Sequence, residues 1–434
     1  MNFMDENDEA FKFPLQLDNV IMPTDGDGPQ SMFGNVFLEM VEDLRLAYQE
    51  GSRAKYEHCC TRSDILLEYV WEQFYIGHWK DVPLAWRKVY SQISCIKASS
   101  QYFLLKENFK EINFNEEQKN RIFKKQLKKI LRSCDMGLLM GYSLPNSVLP
   151  QFASYIHNIY STLFHVANFS SNINRENDVE HKQKKTKLID NESIETVYCP
   201  SLEYFQTVIM KNGQPVLMKN CIDKWPALCE RRWTVDYIRR KAGCRLVPIE
   251  IGSKYTDDSW SQKLMRIDEF IQQYILKDTE EKGYLAQYQL FDQIEDLRKD
   301  IIVPDYCSIS SEDCDVNIDI NAWFGPANTV SPLHRDEKEN LFCQVFGQKY
   351  FKLIDPTYSD KLHIHSDHLL QTTSQIDVEN VDLGRFPDFH RIPYKEVVVE
   401  AGDVLYIPPM YWHFVKSLST SFSVTFWWEN SPMK

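Results

Sequence analysis

The sequence predicts an α+β protein in two parts, a helical domain over residues 31–168 and a β-rich domain over residues 193–434. Three observations carry that expectation. From Phe33 to Leu44, apolar residues (Phe33, Val36, Phe37, Met40, Val41, Leu44) recur at three- and four-residue steps, which gathers them on one face of a helix. After Ser193 the texture changes to short apolar runs cut by Gly, Pro and Asp turns, the pattern of strands. Between them, residues 169–192 are polar and aperiodic, as a linker would be.

Residues 1–30 form a polar leader that ends in the turn-rich Asp25-Gly26-Asp27-Gly28-Pro29. The helical part begins at about Met32. Ser63-Asp64 is placed to cap a second helix carrying Leu66, Tyr69, Val70 and Phe74. Further helical stretches fall near 84–105, 116–133 and 146–165, punctuated by Pro83, Pro145 and Pro150. Trp79, Trp86 and Tyr90 suggest a tetratricopeptide-like helix pair, but no second copy follows at a fixed period, so an irregular bundle stands beside it. Either would offer a surface for docking a protein, or simply shield the second domain. In that domain, Gln214 to Lys219 reads as a strand after the Asn212-Gly213 turn. Trp233 to Ala242 reads as a helix capped by Thr234, Arg245 to Gly252 as a strand, and Ile267 to Leu276 as a helix. From Tyr284 onward, many short strands point to a closed or sandwich-like β architecture.

Composition narrows the function. The formal net charge of -13 argues against general nucleic-acid binding, which needs a basic surface, and suits a basic protein or peptide partner. No apolar run is long enough to span a bilayer, so no membrane partner is expected. The acidic N-terminus lacks the apolar segment of a secretory signal. Eleven cysteines at irregular spacing do not form a disulfide framework, and the adjacent Cys59-Cys60 lacks zinc-type spacing. The expected compartment is the nucleus, with the cytosol as the alternative. The run Lys182-Gln-Lys-Lys-Thr-Lys187 is a candidate import signal or a solvated linker.

The chemistry centres on His334-Arg335-Asp336. If both outer residues lie on a strand, their side chains share a face, because strand side chains repeat every two residues. A second imidazole, His413, follows Gly402-Asp403 and the Pro408-Pro409 break. Two histidines and one carboxylate with open positions make the facial triad of a non-haem Fe(II) oxygenase. After a turn at Phe346-Gly347, the returning strand puts Lys349 on the apolar face of Phe351 and Leu353. A lysine there needs an anion, such as a co-substrate carboxylate, or must snorkel out at the strand end. The last strand, Ser421 to Trp428, has one apolar face (Phe422, Val424, Phe426, Trp428) suited to packing. Its mixed face (Ser421, Ser423, Thr425, Trp427) suits a pocket. His363, His365 and His368 lack the Cys or carboxylate frame of a second metal site, and no local signature marks a Cys–His peptidase.

Four segments together resemble the Jumonji-C family of Fe(II)/2-oxoglutarate oxygenases: Gly283 to Gln293, Asn321 to Tyr350, Thr373 to Asn380, and Tyr406 to Trp428. The likeness is to the small hydroxylase type, in particular to arginyl hydroxylases also described as histone lysine demethylases and methyl-arginine-directed peptidases. It covers most of residues 195–434. The resemblance implies a double-stranded β-helix (jelly-roll) core with helices outside. It implies His334, Asp336 and His413 as iron ligands, with Trp412 and Ser331 steadying them. Tyr284, Ser331, Asn340 and Lys349 are implied as 2-oxoglutarate contacts, and Glu250, Tyr255, Trp323 and Trp427 as lining of a peptide pocket. Fe(II) and 2-oxoglutarate are the implied cofactors and O2 the co-substrate. The implied reaction is hydroxylation of an arginine side chain in a protein, with release of succinate and CO2. N-methyl-lysine demethylation on histone tails is the alternative within the same chemistry. A silent binding scaffold is the alternative from another class, and the complete ligand set argues against it.

Overall fold

The structure, a computed structural model, describes residues 29–76, 81–111, 115–163, 194–252, 254–256, 259–309, 317–367 and 370–429. Most of the leader, the 169–192 segment with Lys182 to Lys187, and His368 lie outside the described residues. The chain divides into two compact units. The first is Met1–Asn168 with Cys244–Leu246 and Gln293–Glu295. The second is Phe169–Gly243 with Val247–Asp292 and Asp296–Lys434.

The first unit holds α1 (Pro29–Glu50), α2 (Arg53–Phe74), α3 (Leu84–Glu111), α4 (Glu116–Met140) and α5 (Val148–Leu163). α3 is the centre, packing on α1, α2 and α4, with Val89, Ile93 and Ile96 buried among them. One helix with three partners is a bundle, not the sequential stack of a repeat array. α3 and α4 approach closely through small residues: a Cβ on Gly137 would lie 2.6 Å from that of Ser94. The cap expected at Ser63-Asp64 is not there. α2 begins at Arg53 and runs through Ser63, whose hydroxyl donates to the Cys59 carbonyl one turn back at 2.8 Å. Serine competes for the backbone in both roles, so its identity alone does not separate cap from helix interior. Asn115 does cap α4, accepting from the Gln118 N–H at 2.8 Å.

The second unit is built on two sheets. The strands are β1 (Glu195–Tyr198), β2 (Val216–Lys219), β3 (Leu246–Ile251), β4 (Ser261–Arg266), β5 (Gly283–Tyr288), β6 (Asp319–Gly325), β7 (Val330–His334), β8 (Glu339–Phe346), β9 (Lys349–Ile354), β10 (Lys395–Val399), β11 (Val404–Ile407), β12 (Trp412–Ser417) and β13 (Ser421–Trp428). The large sheet runs β1-β2-β11-β8-β13-β6-β5-β3-β4 and the small one β10-β9-β12-β7. Phe342, Leu405 and Ile407 from the large sheet pack in one cluster with Phe351, Leu353 and Val415 from the small one. The two sheets thus face each other across a shared core, as the jelly-roll expectation requires. The β8–β9 turn depends on Gly347. Its φ is +74°, and a Cβ there would meet the Thr420 carbonyl at 2.2 Å.

β13 sorts its two faces as the alternation suggests. Phe422 and Phe426 pack outward on Trp233 and Trp225, at ring distances of 4.8 and 5.8 Å, while Thr425 and Trp427 line a cavity between the sheets. Behind this outer layer, the buried Asp300 carboxylate accepts from the Trp233 indole at 2.9 Å, the Tyr237 hydroxyl at 2.6 Å, and Arg231. Arg231 is 44% exposed and re-solvates if the carboxylate is removed. The indole and phenol donors do so less readily. Asp300→Ala is expected to destabilise the protein by about 2–4 kcal/mol, since each stranded donor costs about 1–3. A lowered urea midpoint at unchanged slope would check this.

Candidate active site

His334 is the last residue of β7, and His413 faces it in antiparallel register from β12. Asp336 is not on the strand. β7 ends at His334, and Asp336 sits in the turn that follows, pinned by the Met410 N–H donating to its backbone carbonyl at 2.6 Å. The turn brings the carboxylate to the same place that strand periodicity would have chosen. The three ligand atoms lie within 4.8 Å of one another, and this is the one such cluster found among the described residues. His363 and His365 join no metal group there.

Backbone carbonyls set the rings. His334 Nδ1 lies 2.7 Å from the Pro332 carbonyl and His413 Nδ1 lies 3.0 Å from that of Tyr411. A carbonyl only accepts, so each Nδ1 carries the proton and each Nε2 lone pair is free for a metal. Trp412 packs behind, its indole donating to Ser359 at 2.9 Å, so it orients β12 and not the imidazoles directly. Burial first, then the neighbouring His413, depresses His334 to about 4, which keeps it neutral. For Asp336, burial opposes the charge, but its contacts to His413 and His334 outweigh it and hold the carboxyl below its ordinary value. Its Oδ2 is buried, 3.5 Å from His413 Nε2, and has no hydrogen-bond partner. Two imidazoles whose Nδ1 atoms are held by backbone carbonyls and an anionic carboxylate with an unsatisfied oxygen fit Fe(II).

Two spaces meet at this cluster. The inner chamber lies between the sheets, with Lys349, Asn340, Phe342 and Trp427 in its wall. Lys349 is 1% exposed and donates to the Tyr284 hydroxyl at 2.8 Å. Around it stand the rings of Tyr284, Trp323 and Phe342, and no carboxylate pairs with it among the described residues. Desolvation pushes its ammonium down to about 7. Burial also raises Tyr284, which keeps its phenol protonated beside Ser331. Asn340 Oδ1 and Trp427 Nε1, opposite each other in the β8–β13 register, are likewise buried without partners. A buried cation, two hydroxyls and unsatisfied polar atoms lining one space fit a small dicarboxylate. Gly325 keeps the chamber wall thin: a Cβ there would press to 2.8 Å against the Tyr284 ring.

The outer cleft shares Tyr284, Trp323, Ser331, His334 and Asp336 with the chamber and adds Glu250 and Tyr255. Trp323 therefore stands in both spaces, whereas Trp427 is found in the inner one. Glu250 sits on β3 opposite Tyr284 on β5. Burial raises its pKa, and Trp260 donates to it at 3.3 Å. Tyr255, pushed up to about 12 by burial, shares a hydrogen bond with Thr373 at 3.1 Å.

Several site residues were not singled out by sequence reasoning. Thr425 accepts from the Trp323 indole at 3.0 Å, and Thr372 and Thr373 line the cleft. Thr373 lies in a segment that carried the family resemblance, and Thr425 on the mixed face of β13. Both signals pointed to the element and gave the residue no partner or role.

Three side chains able to hold a metal beside an anion-seeking lysine, between facing sheets, are the arrangement of cupin-like oxygenases. Residues 201–434 match the family model described as Cupin-like domain. The chain is 39% identical over 412 residues to "Lysine-specific demethylase 8" of Danio rerio, covering 94% of this chain and 97% of that protein. It is 38% identical over 370 residues to "Jumonji C domain-containing protein 5" of Drosophila melanogaster, covering 84% and 85%. A more distant likeness, 25% over 262 residues, is to "Bifunctional peptidase and (3S)-lysyl hydroxylase JMJD7" of Homo sapiens, covering 52% and 81%. The chain belongs to the JmjC family of Fe(II)- and 2-oxoglutarate-dependent oxygenases.

Proposed function

We propose that this oxygenase hydroxylates an arginine side chain of a protein substrate. Iron and 2-oxoglutarate together supply the oxidising power that places oxygen on a C–H bond, with release of succinate and CO2. The chain's own residues bind and orient. His334, Asp336 and His413 hold the metal. Lys349 would hold a carboxylate of the co-substrate, aided by the hydroxyls of Tyr284 and Ser331, with Asn340 in the same chamber wall. Glu250, Tyr255 and Trp323 receive the substrate in the outer cleft, and Trp427, expected beside them, lines the inner chamber.

The observation that carries the reading is Glu250. It is a half-buried carboxylate in the cleft that opens on the metal cluster, and it forms no ion pair among the described residues. A desolvated carboxylate wants a cation with several donors, and guanidinium offers a planar fork that matches it in two hydrogen bonds. A protein of net charge -13 also attracts basic segments such as an arginine-rich tail.

The relatives named as lysine-specific demethylases favour a second reading, removal of a methyl group from lysine. There the oxygenated N-methyl carbon would leave as formaldehyde, and the aromatic rings of Tyr255 and Trp323 would hold the ammonium. Parallel assays on arginine and methyl-lysine peptides separate the two. The expected result is one added oxygen on arginine, with kcat/KM for that peptide reduced about 30-fold or more by Glu250→Gln, since losing a desolvated charge partner costs 2–5 kcal/mol. An unmodified arginine peptide beside a demethylated lysine peptide would overturn the reading.

A further inference from the structure

We propose that Cys199 and Cys221 form a thiol pair that closes to a disulfide under oxidation by a small-molecule disulfide. The pair lies outside the active site. β1 and β2 are parallel neighbours with Tyr198 opposite Lys219, and the chain turns immediately after both. Cys199 and Asn220 take left-handed conformations there, with φ of 38° and 62°. The turns bring the two cysteines together. The Cys199 N–H donates to the Lys219 carbonyl at 2.9 Å, and the Cys221 thiol points at the same carbonyl at 3.4 Å. The Cys221 Sγ also lies 3.9 Å from the Tyr306 hydroxyl. Tyr306 is itself fixed, donating to the Pro200 carbonyl at 2.6 Å.

Access divides the labour. Cys199 is exposed and Cys221 half-buried. The exposed thiol, as thiolate, attacks a disulfide such as oxidised glutathione. One S–S bond breaks, a mixed disulfide forms at Cys199, and one glutathione thiolate leaves and takes a proton. The Cys221 thiol then gives up its proton and attacks the Cys199 sulfur, expelling the second glutathione. Two protein thiols are oxidised and one small disulfide is reduced to two thiols. Burial raises Cys221, which slows it as a first attacker, but adjacency makes its second step intramolecular. The product staples β1, the edge strand of the large sheet, to the turn after β2.

The test is alkylation and peptide mapping of the full chain across a series of glutathione redox ratios. Cys229, exposed and on the same unit, is the internal comparator. Protection of Cys199 and Cys221 is expected to rise together, with one linked peptide two hydrogens lighter. Cys229 should gain only glutathione. In Cys221→Ser, Cys199 should stop at the mixed disulfide. In Cys199→Ser, an exposed change that leaves the core intact, Cys221 should stay alkylatable. Oxidation should raise the thermal midpoint of the parent chain and not of Cys199→Ser. The proposal is overturned if Cys199 and Cys221 are protected independently. It is equally overturned if Cys199 carries glutathione at every ratio while Cys221 stays reduced.

Discussion

Lys349→Met is expected to abolish measurable use of 2-oxoglutarate while leaving the co-substrate-free protein more stable. The two effects have opposite signs and one cause. In the chamber the ammonium is buried without an anion, among three aromatic rings, one of them the Tyr284 phenol it donates to. A methionine of similar length removes that charge and keeps the apolar contacts. The co-substrate loses its desolvated counter-charge, a loss of 2–5 kcal/mol or about 30- to several-thousand-fold in Kd. Calorimetric titration and thermal melts on one preparation read both. A variant that melts lower and still binds 2-oxoglutarate would contradict the chamber described above.

The same lysine sets a pH dependence. Its folded-state pKa is about 7, against an ordinary 10.5. Between those values the unfolded chain holds the proton and the folded chain does not, so this group makes stability rise with pH across that window. Below about pH 7 both states are protonated, and the folded state carries the full penalty, on the order of 4–5 kcal/mol. Co-substrate binding has the opposite slope. The dicarboxylate needs the ammonium, so its Kd should weaken as pH climbs above 7. Both slopes should flatten in Lys349→Met, which isolates this residue from other titrating groups.

Asp336→Ala is the second large effect. It removes the anionic ligand and leaves two imidazoles to hold a divalent metal. Even groups outside the ligand shell change metal affinity 10–100-fold, so loss of a ligand should exceed about 100-fold and silence turnover. Fe(II) titration should show the weakened binding directly. Because the Met410 N–H holds the Asp336 main chain, not its side chain, the turn should survive. Wild-type circular dichroism with absent metal binding is the expected pair of results.

These residues also show how far the sequence can be read. The metal ligands were found by an argument only partly correct. His334 is on a strand, but Asp336 is in the turn after it, and a two-residue separation serves either geometry. Lys349 was legible because a cation on an apolar strand face demands an explanation. β13 was legible because its alternation is strict and both of its faces are covered. The division into chamber and cleft was not legible. It depends on which strands stand opposite each other across two sheets, and β5, β6 and β13 reach the cavity from distant parts of the chain. The Ser63 cap failed for a local reason. A serine followed by an acid looks alike at a helix start and within a long helix, and only the continuation of α2 decides.

The division of labour between the sheets has a consequence for how such a protein can change. His334, His413, Lys349 and Ser331 lie on β7, β12 and β9 of the small sheet, with Asp336 in the turn beside them. Glu250 and Trp323, which line the outer cleft, lie on β3 and β6 of the large sheet. The metal ligands are thus held by one wall, and the cleft side chains that would judge the target by the other. Substitutions on that cleft face can redirect the oxidant to a different side chain while leaving the metal ligands in place. Relatives that share the fold yet bear names for different modifications, demethylation in one and lysyl hydroxylation in another, are the kind of diversity such a separation permits.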